Sequence, residues 1–142
     1  MDAGLTVRTA LPGTGTTLGV PARWRTATDP VSGLLSVEPD TGRFLASVTV
    51  VLDRSRHEAL PDPVAAATAM LVAPAVVHVD LDGGAVDLVV CHLAGSVSAT
   101  MRQRQLLIPE GMLAVTFTAA TSRWSELCAV ADEVMDSIGV AA

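Results

Sequence analysis

Apolar and polar residues alternate most cleanly near the middle of the chain. Val77, Val79 and Leu81 interleave with His78, Asp80 and Asp82, and after Gly83-Gly84 the alternation resumes through Val86, Leu88 and Val90. A period of two marks a strand with one buried face. Gly-Gly suits a two-residue type I′ turn, so residues 75–82 and 85–93 read as a hairpin. That turn pairs Asp82 with Ala85, Asp80 with Asp87 and His78 with Val89. It places Val77, Val79, Leu81, Val86, Leu88 and Val90 on one face. Strands are also predicted over residues 33–38 and 43–52, joined at Pro39-Asp40-Thr41-Gly42. In the second of these, Phe44, Ala46, Val48, Val50 and Leu52 share a face, and Leu45, Ser47, Thr49 and Val51 share the other. Both faces are apolar enough to expect cover on each side. Residues 97–108 and 112–119 form a further hairpin around Pro109-Glu110-Gly111. Its register is open: a three-residue loop pairs Leu107 with Leu113, and an alternative register pairs Ile108 with Leu113. Leu113, Val115 and Phe117 face one way in both.

Two segments follow helical spacing instead. Asp62 can cap a short helix with Pro63 at its first position; Val64, Ala67, Thr68 and Leu71 carry the spacing, and Pro74 is expected to stop it. A second helix is predicted over residues 122–138, with Trp124, Leu127, Cys128, Ala131, Met135 and Ile138 as its apolar stripe. Thr121 or Ser122 can cap its start and Gly139 can end it. The segment from Leu11 to Gly19 is a loop by composition, so residues 1–19 are expected as a flexible arm and residues 20–142 as a single α+β domain. The resulting order is β-β-α-β-β-β-β-α. Four consecutive strands between helices are incompatible with an alternating parallel fold and predict an antiparallel sheet sandwiched by helices.

Composition narrows the picture. Of 142 residues half are hydrophobic, yet only two Trp and two Phe are present and Tyr is absent. The core must therefore be built from Val, Leu, Ala and Met. All nine basic residues are Arg, scattered along a chain of net charge −6. Nucleic-acid binding is not expected, because no basic stripe is available to neutralise phosphates. Abundant Ala and Val without Lys suggest a high-GC, actinobacterial source. No apolar run approaches the roughly 18 residues of a membrane-spanning helix, so stable membrane insertion is not expected. The first residues lack a signal-peptide pattern, which gives a cytoplasmic expectation. Cys91 and Cys128 read as buried free thiols.

Few residues suggest chemistry. Gly13-Thr14-Gly15-Thr16-Thr17-Leu18-Gly19 resembles a phosphate loop only superficially, since no Gly-Lys-Ser/Thr and no following helix are present. Asp80 faces Asp87, a repulsion that a cation or an Arg could relieve, but the cluster has too few oxygens for a hard metal. Cys91 and His92 are adjacent in a strand, point to opposite faces and cannot pair. Neither a catalytic site nor a cofactor is expected. Arg102 and Arg104 alternate onto one strand face and could clasp a partner's carboxylate. Arg54, Arg56 and His57, in the loop after residue 52, are a second candidate contact for a partner.

Several stretches carry a resemblance. Pro21-Ala22-Arg23-Trp24, Phe44-Leu45-Ala46-Ser47-Val48-Thr49-Val50, and Leu113-Ala114-Val115-Thr116-Phe117-Thr118-Ala119 followed by Trp124 and Asp136-Ser137-Ile138 resemble the PsbP/Mog-like superfamily over residues 20–140. That superfamily includes DcrB-like and actinobacterial LpqN-like proteins. The resemblance implies an antiparallel sheet sandwiched by helices and non-catalytic work: assembly, small-GTPase binding, lipid-related lipoproteins or chaperoning of secreted effectors. The lipoprotein signal and lipidated Cys of LpqN-like proteins have no match here. The expectation is a non-catalytic adaptor or chaperone for a protein partner, such as a secreted or hydrophobic segment, acting as a monomer or a homodimer. A small-molecule or lipid binder of LpqN-like type is the alternative, and a small hydrolase the third reading. An exposed apolar patch favours a protein partner; an enclosed pocket of about 300–1,000 Å³ favours a ligand.

Overall fold

The period-two segments become strands, except that residues 43–46 lie ahead of the strand that begins at Ser47. The computed structural model describes residues 6–29, 33–39, 42–82 and 84–140. After an initial pair, β1 (Thr6–Ala10) and β2 (Thr17–Pro21), come β3 (Arg25–Asp29), β4 (Gly33–Val37) and β5 (Ser47–Asp53). Helix α1 (Pro63–Thr68) separates these from β6 (Val72–Asp82), β7 (Ala85–Ala94), β8 (Val97–Ile108) and β9 (Gly111–Ala120), and helix α2 (Trp124–Asp136) closes the chain. Strands β3 to β9 form one antiparallel sheet in the order β3-β4-β5-β9-β8-β7-β6, and β1-β2 form a separate two-stranded sheet. The α+β architecture expected from the sequence is thus present, with three further strands at the front. Among the described residues no helix is long and apolar enough to cross a membrane.

The hairpin at Gly84 forms in the expected register, pairing Asp82 with Ala85, Asp80 with Asp87 and His78 with Val89. The register shifts between Val76 and His78, so Val76 rather than Val77 stands opposite Val90. The loop expected between β4 and β5 includes Asp40 and Thr41, which lie outside the described residues.

The inner face of the sheet carries the main core. Leu34, Val48, Val50, Leu113, Val115, Phe117 and Ala119 are buried there with Ala131, Val134 and Met135 of α2. Phe117 lies between two indoles, 5.7 Å from the Trp24 ring and 6.1 Å from that of Trp124.

The flexible arm expected over residues 1–19 is, from Thr6 on, a β-hairpin that joins this core. Leu11, Leu18 and Val20 are buried in it. The Gly and Thr content that reads as a loop serves a tight turn and paired strands. Gly13 takes φ 73°, a conformation open to glycine. The hairpin is fastened to the end of α2: Thr17 and Gly139 exchange backbone hydrogen bonds of 2.8 Å, and the Gly19 N–H donates to Ser137 Oγ at 2.6 Å.

The outer face also has a helix on it, as expected, though the cover is partial. Val64 and Ala67 of helix α1, with Leu71 just after it, pack on Leu88, Val90 and Met101 of β7 and β8. Beyond it, Leu35 and Val51 stand about half exposed on β4 and β5. Asp62 caps α1 as expected, its Oδ1 accepting from the Ala65 N–H at 3.0 Å. Pro74 does not end this helix. The helix stops at Thr68, whose hydroxyl turns back to the Val64 carbonyl at 2.9 Å, a competing bond for the last turn. Pro74 lies inside β6, where an edge strand tolerates a missing N–H. Helix α2 likewise starts without a side-chain cap from Thr121 or Ser122; a 3-10 turn, Thr121–Arg123, leads into it, and Thr121 Oγ1 bonds Thr100 Oγ1 at 2.9 Å.

Neither expected register of the β8–β9 hairpin is adopted. Leu106 pairs with Leu113, Leu107 with Met112 and Ile108 with Gly111, so Pro109-Glu110 alone makes the tip. Gly111 belongs to the ladder because it must lie against β5. A Cβ there would come 2.2 Å from the Asp53 carbonyl oxygen, and its φ is 149°. Gly111→Ala is expected to cost about 1–3 kcal/mol through clash and backbone strain, read as a lower urea midpoint.

Candidate functional site

Alternation along β6, β7 and β8 sends His78 and Asp80, Asp87 and Val89, and Arg102 and Arg104 to the inner face at the uncovered end of the sheet. Helix α2 passes beside them and contributes Trp124, Cys128 and Asp132. Together these residues line an open cleft of about 340 Å³.

The two arginines are already engaged within the chain. Arg104 Nε donates to both Asp87 carboxylate oxygens, at 3.0 and 3.2 Å, and its Nη1 donates to the Met135 carbonyl at 3.0 Å, near the end of α2. Arg102 pairs with Asp132 and lies 3.9 Å from Asp87. The Asp80–Asp87 repulsion is therefore relieved from within, by arginine. A partner carboxylate would have to displace Asp87 or Asp132 to use this pair. The His78 and Asp80 side chains have no hydrogen bond or ion pair among the described residues and line the cleft.

Both cysteines are free, as expected, but half-buried rather than buried. Cys91 Sγ lies 3.4 Å from Thr100 Oγ1, and Cys128 Sγ donates to the Ser125 carbonyl at 3.8 Å. Cys128 and His78 share the cleft, a proximity the sequence did not suggest, yet no hydrogen bond joins them among the described residues.

Arg54, Arg56 and His57 lie elsewhere, in the turn after β5. Asp53 organises that turn by accepting from the Ser55 hydroxyl at 2.6 Å and the Ser55 N–H at 3.0 Å. These bonds, with Arg56 and His57 nearby, hold its carboxyl below the ordinary aspartate range. Ser55, Arg56, His57 and Glu58 line a shallow depression of about 330 Å³. Arg54 turns away from it, with Nη2 over Gly13 in the β1–β2 turn. The two arginine groups singled out in the sequence line separate surfaces.

Sequence reasoning missed two features. The first is an ion pair between Glu38, at the end of β4, and Arg123, at the start of α2. Both side chains are nearly buried. Arg123 Nη2 donates to Glu38 Oε2 at 3.1 Å, and the Ala46 N–H donates to Oε1 at 2.8 Å. Burial alone would push the Glu38 carboxyl up. The hydrogen bonds from Arg123 and Ala46 and the charges of Arg123 and Arg43 outweigh it and hold it below the ordinary glutamate range. Hydrogen bonds to Glu38 and Glu126 raise Arg123 in turn. No spacing rule links residues so far apart.

The second is the apolar rim at β6. Met70, Val72, Val76, Val77, Val79 and Leu81 are all exposed, from 40% at Val79 to 93% at Met70. The alternation of Val77, Val79 and Leu81 was legible; their exposure was not.

No family model matches the chain. No curated protein matches it in sequence. Solved structures do. The solution structure of cyanobacterial PsbP, CyanoP, from Synechocystis sp. PCC 6803 superposes with a TM-score of 0.65 at 14% identity, covering 99% of this chain and 95% of that one. The Saccharomyces cerevisiae Ran-binding protein Mog1p gives a TM-score of 0.64 at 11% identity, covering 95% of each chain. LpqN of Mycobacterium tuberculosis, involved in cell envelope biogenesis, gives 0.60 at 16% identity, covering 96% of this chain and 84% of that one. The chain has the PsbP/Mog-like fold.

Proposed function

We propose that the chain is a non-catalytic protein-binding module, an adaptor or chaperone, that engages its partner along the β6 rim of the sheet. The exposed apolar run on β6 carries this reading, because a contiguous apolar surface of that kind marks an association site. An extended partner segment can add its backbone to an open sheet edge while its side chains meet the apolar positions. The Ran-binding activity named for Mog1p is a protein-binding role on the same fold and fits this reading. A lipid or small-molecule role has less support. The cleft beside α2 is open and bordered by two arginines, three aspartates and a histidine, whereas ligand pockets are mostly apolar and enclose their ligand. For catalysis the cleft offers no nucleophile hydrogen-bonded to a base among the described residues.

Affinity capture with the wild-type chain and a Val77→Lys/Leu81→Lys double variant tests the reading. Both positions are well exposed, so the variant should keep the wild-type circular dichroism. Loss of a specific partner by the variant is the expected result. A partner bound equally by both proteins would place the site elsewhere.

A further inference from the structure

The β6 rim has one occupant that its own residues select. We propose that β6 pairs antiparallel with β6 of a second copy of this chain, across a twofold axis at Val79. The proposal rests on the reading of β6 as an association surface and names a second copy as its occupant when no other protein is bound.

An edge strand exposes unpaired backbone groups and invites another strand unless proline, bulges, lysine or a covering element blunts it. The first half of β6 carries such devices. Pro74 lies there, Ala73 takes φ 51°, and the register with β7 shifts twice, between Val72 and Ala75 and between Val76 and His78. From His78 to Asp82 the ladder is regular, with no proline and no lysine. Helix α1 leaves this half uncovered, and every residue from Val72 to Leu81 is exposed.

Charge complementarity chooses the register. In a twofold antiparallel pair, directly opposed residues share a face. An axis at Asp80 would oppose two Asp80 carboxylates. An axis at Leu81 would oppose Asp80 to Asp82 twice. An axis at Val79 opposes His78 to Asp80 of the second copy on both sides, so that each imidazole N–H can donate to a carboxylate. Within one chain Asp87 is satisfied by Arg104 and Arg102, whereas His78 and Asp80 have no such partner among the described residues. The same register stacks Val79 on Val79 and brings Leu81 up to the bulge at Val77, three of the exposed apolar positions. The general repulsion between two chains of net charge −6 is met by local attraction at the contact itself.

Sedimentation equilibrium on the full chain tests the pairing. The wild type is expected at twice the 14.6 kDa chain mass, and Val79→Lys at the single mass with unchanged circular dichroism. His78→Asp opposes two carboxylates on each side of the axis and should weaken the dimer about tenfold. Adding Asp80→His should restore it, because each exchanged residue again meets its opposite. A wild-type chain that stays at the single mass into the millimolar range overturns the proposal. So does a dimer that survives Val79→Lys, or an exchange that fails to restore it. The adaptor reading fails separately: a wild-type dimer that captures no other protein upholds the pairing and overturns the adaptor. A monomer that captures a partner through β6 does the reverse.

Discussion

Phe117→Ala is expected to cost about 3–5 kcal/mol, among the largest losses from any single truncation in the chain. The ring is fully buried on β9, opposite Val48 on one side and Arg102 on the other, and it lies between Trp24 and Trp124. Truncation removes the ring against which both indoles pack and leaves a cavity between them. The loss should be read as a lower urea midpoint with the slope unchanged. Val51→Ala, half exposed on the outer face of β5, should by contrast stay within about 1 kcal/mol. Equal effects at the two sites would mean that the outer face is covered after all.

Glu38→Ala is expected to cost about 2–3 kcal/mol, because it leaves the nearly buried Arg123 with the exposed Glu126 alone among the described residues and takes the acceptor from the Ala46 N–H. Glu38 does more than pair. Its carboxylate accepts the Ala46 N–H, and its own N–H donates to the Ala46 carbonyl at 3.1 Å, so the β4–β5 connection is clamped to the start of α2. Replacing the pair with Glu38→Leu and Arg123→Met together should recover only part of the loss: the apolar pair carries no desolvation penalty, but the buried Ala46 N–H still lacks its acceptor. The pair also sets an acid limb. Folding lowers the Glu38 carboxyl, so its contribution is complete above the unfolded value of about 4.3 and is lost as the pH falls through the folded value. Wild-type stability should therefore fall more steeply below about pH 4.3 than that of Glu38→Gln. Parallel acid limbs in denaturation series at several pH values would contradict this assignment.

The parts of the fold legible in the sequence are those where two independent signals agree. At Gly83-Gly84 the turn chemistry and the alternation demand the same register, and the strands adopt it. At Pro109-Glu110-Gly111 the turn residues outnumber the turn positions. Gly111 reads as loop but is a ladder residue, glycine because the Asp53 backbone comes so close. Between Thr6 and Pro21, Gly and Thr masked a hairpin whose buried apolar side chains, Leu11, Leu18 and Val20 among them, are too few to show a period.

Periodicity also says which residues share a face, not whether anything covers it. Val79 and Leu88 are directly opposed in one hairpin. Leu88 lies under α1 and is buried; Val79 lies past the reach of α1 and is exposed. The candidate sites follow the same logic. The alternation of Arg102 and Arg104 was readable, but Asp132 and the Met135 carbonyl reach them from a helix placed by tertiary packing. What read as a free clasp for a partner is an internal fastening of α2 to the sheet.

The most direct test of the account is site-specific photo-cross-linking in cells. A photo-reactive amino acid is placed at position 77 on β6 and, as a control, at position 28 on β3, the opposite and equally exposed rim of the sheet. The account predicts a protein adduct of discrete mass from position 77 and none from position 28. No adduct at position 77, or the same adducts from both rims, would contradict the assignment of β6 as the surface through which this protein works.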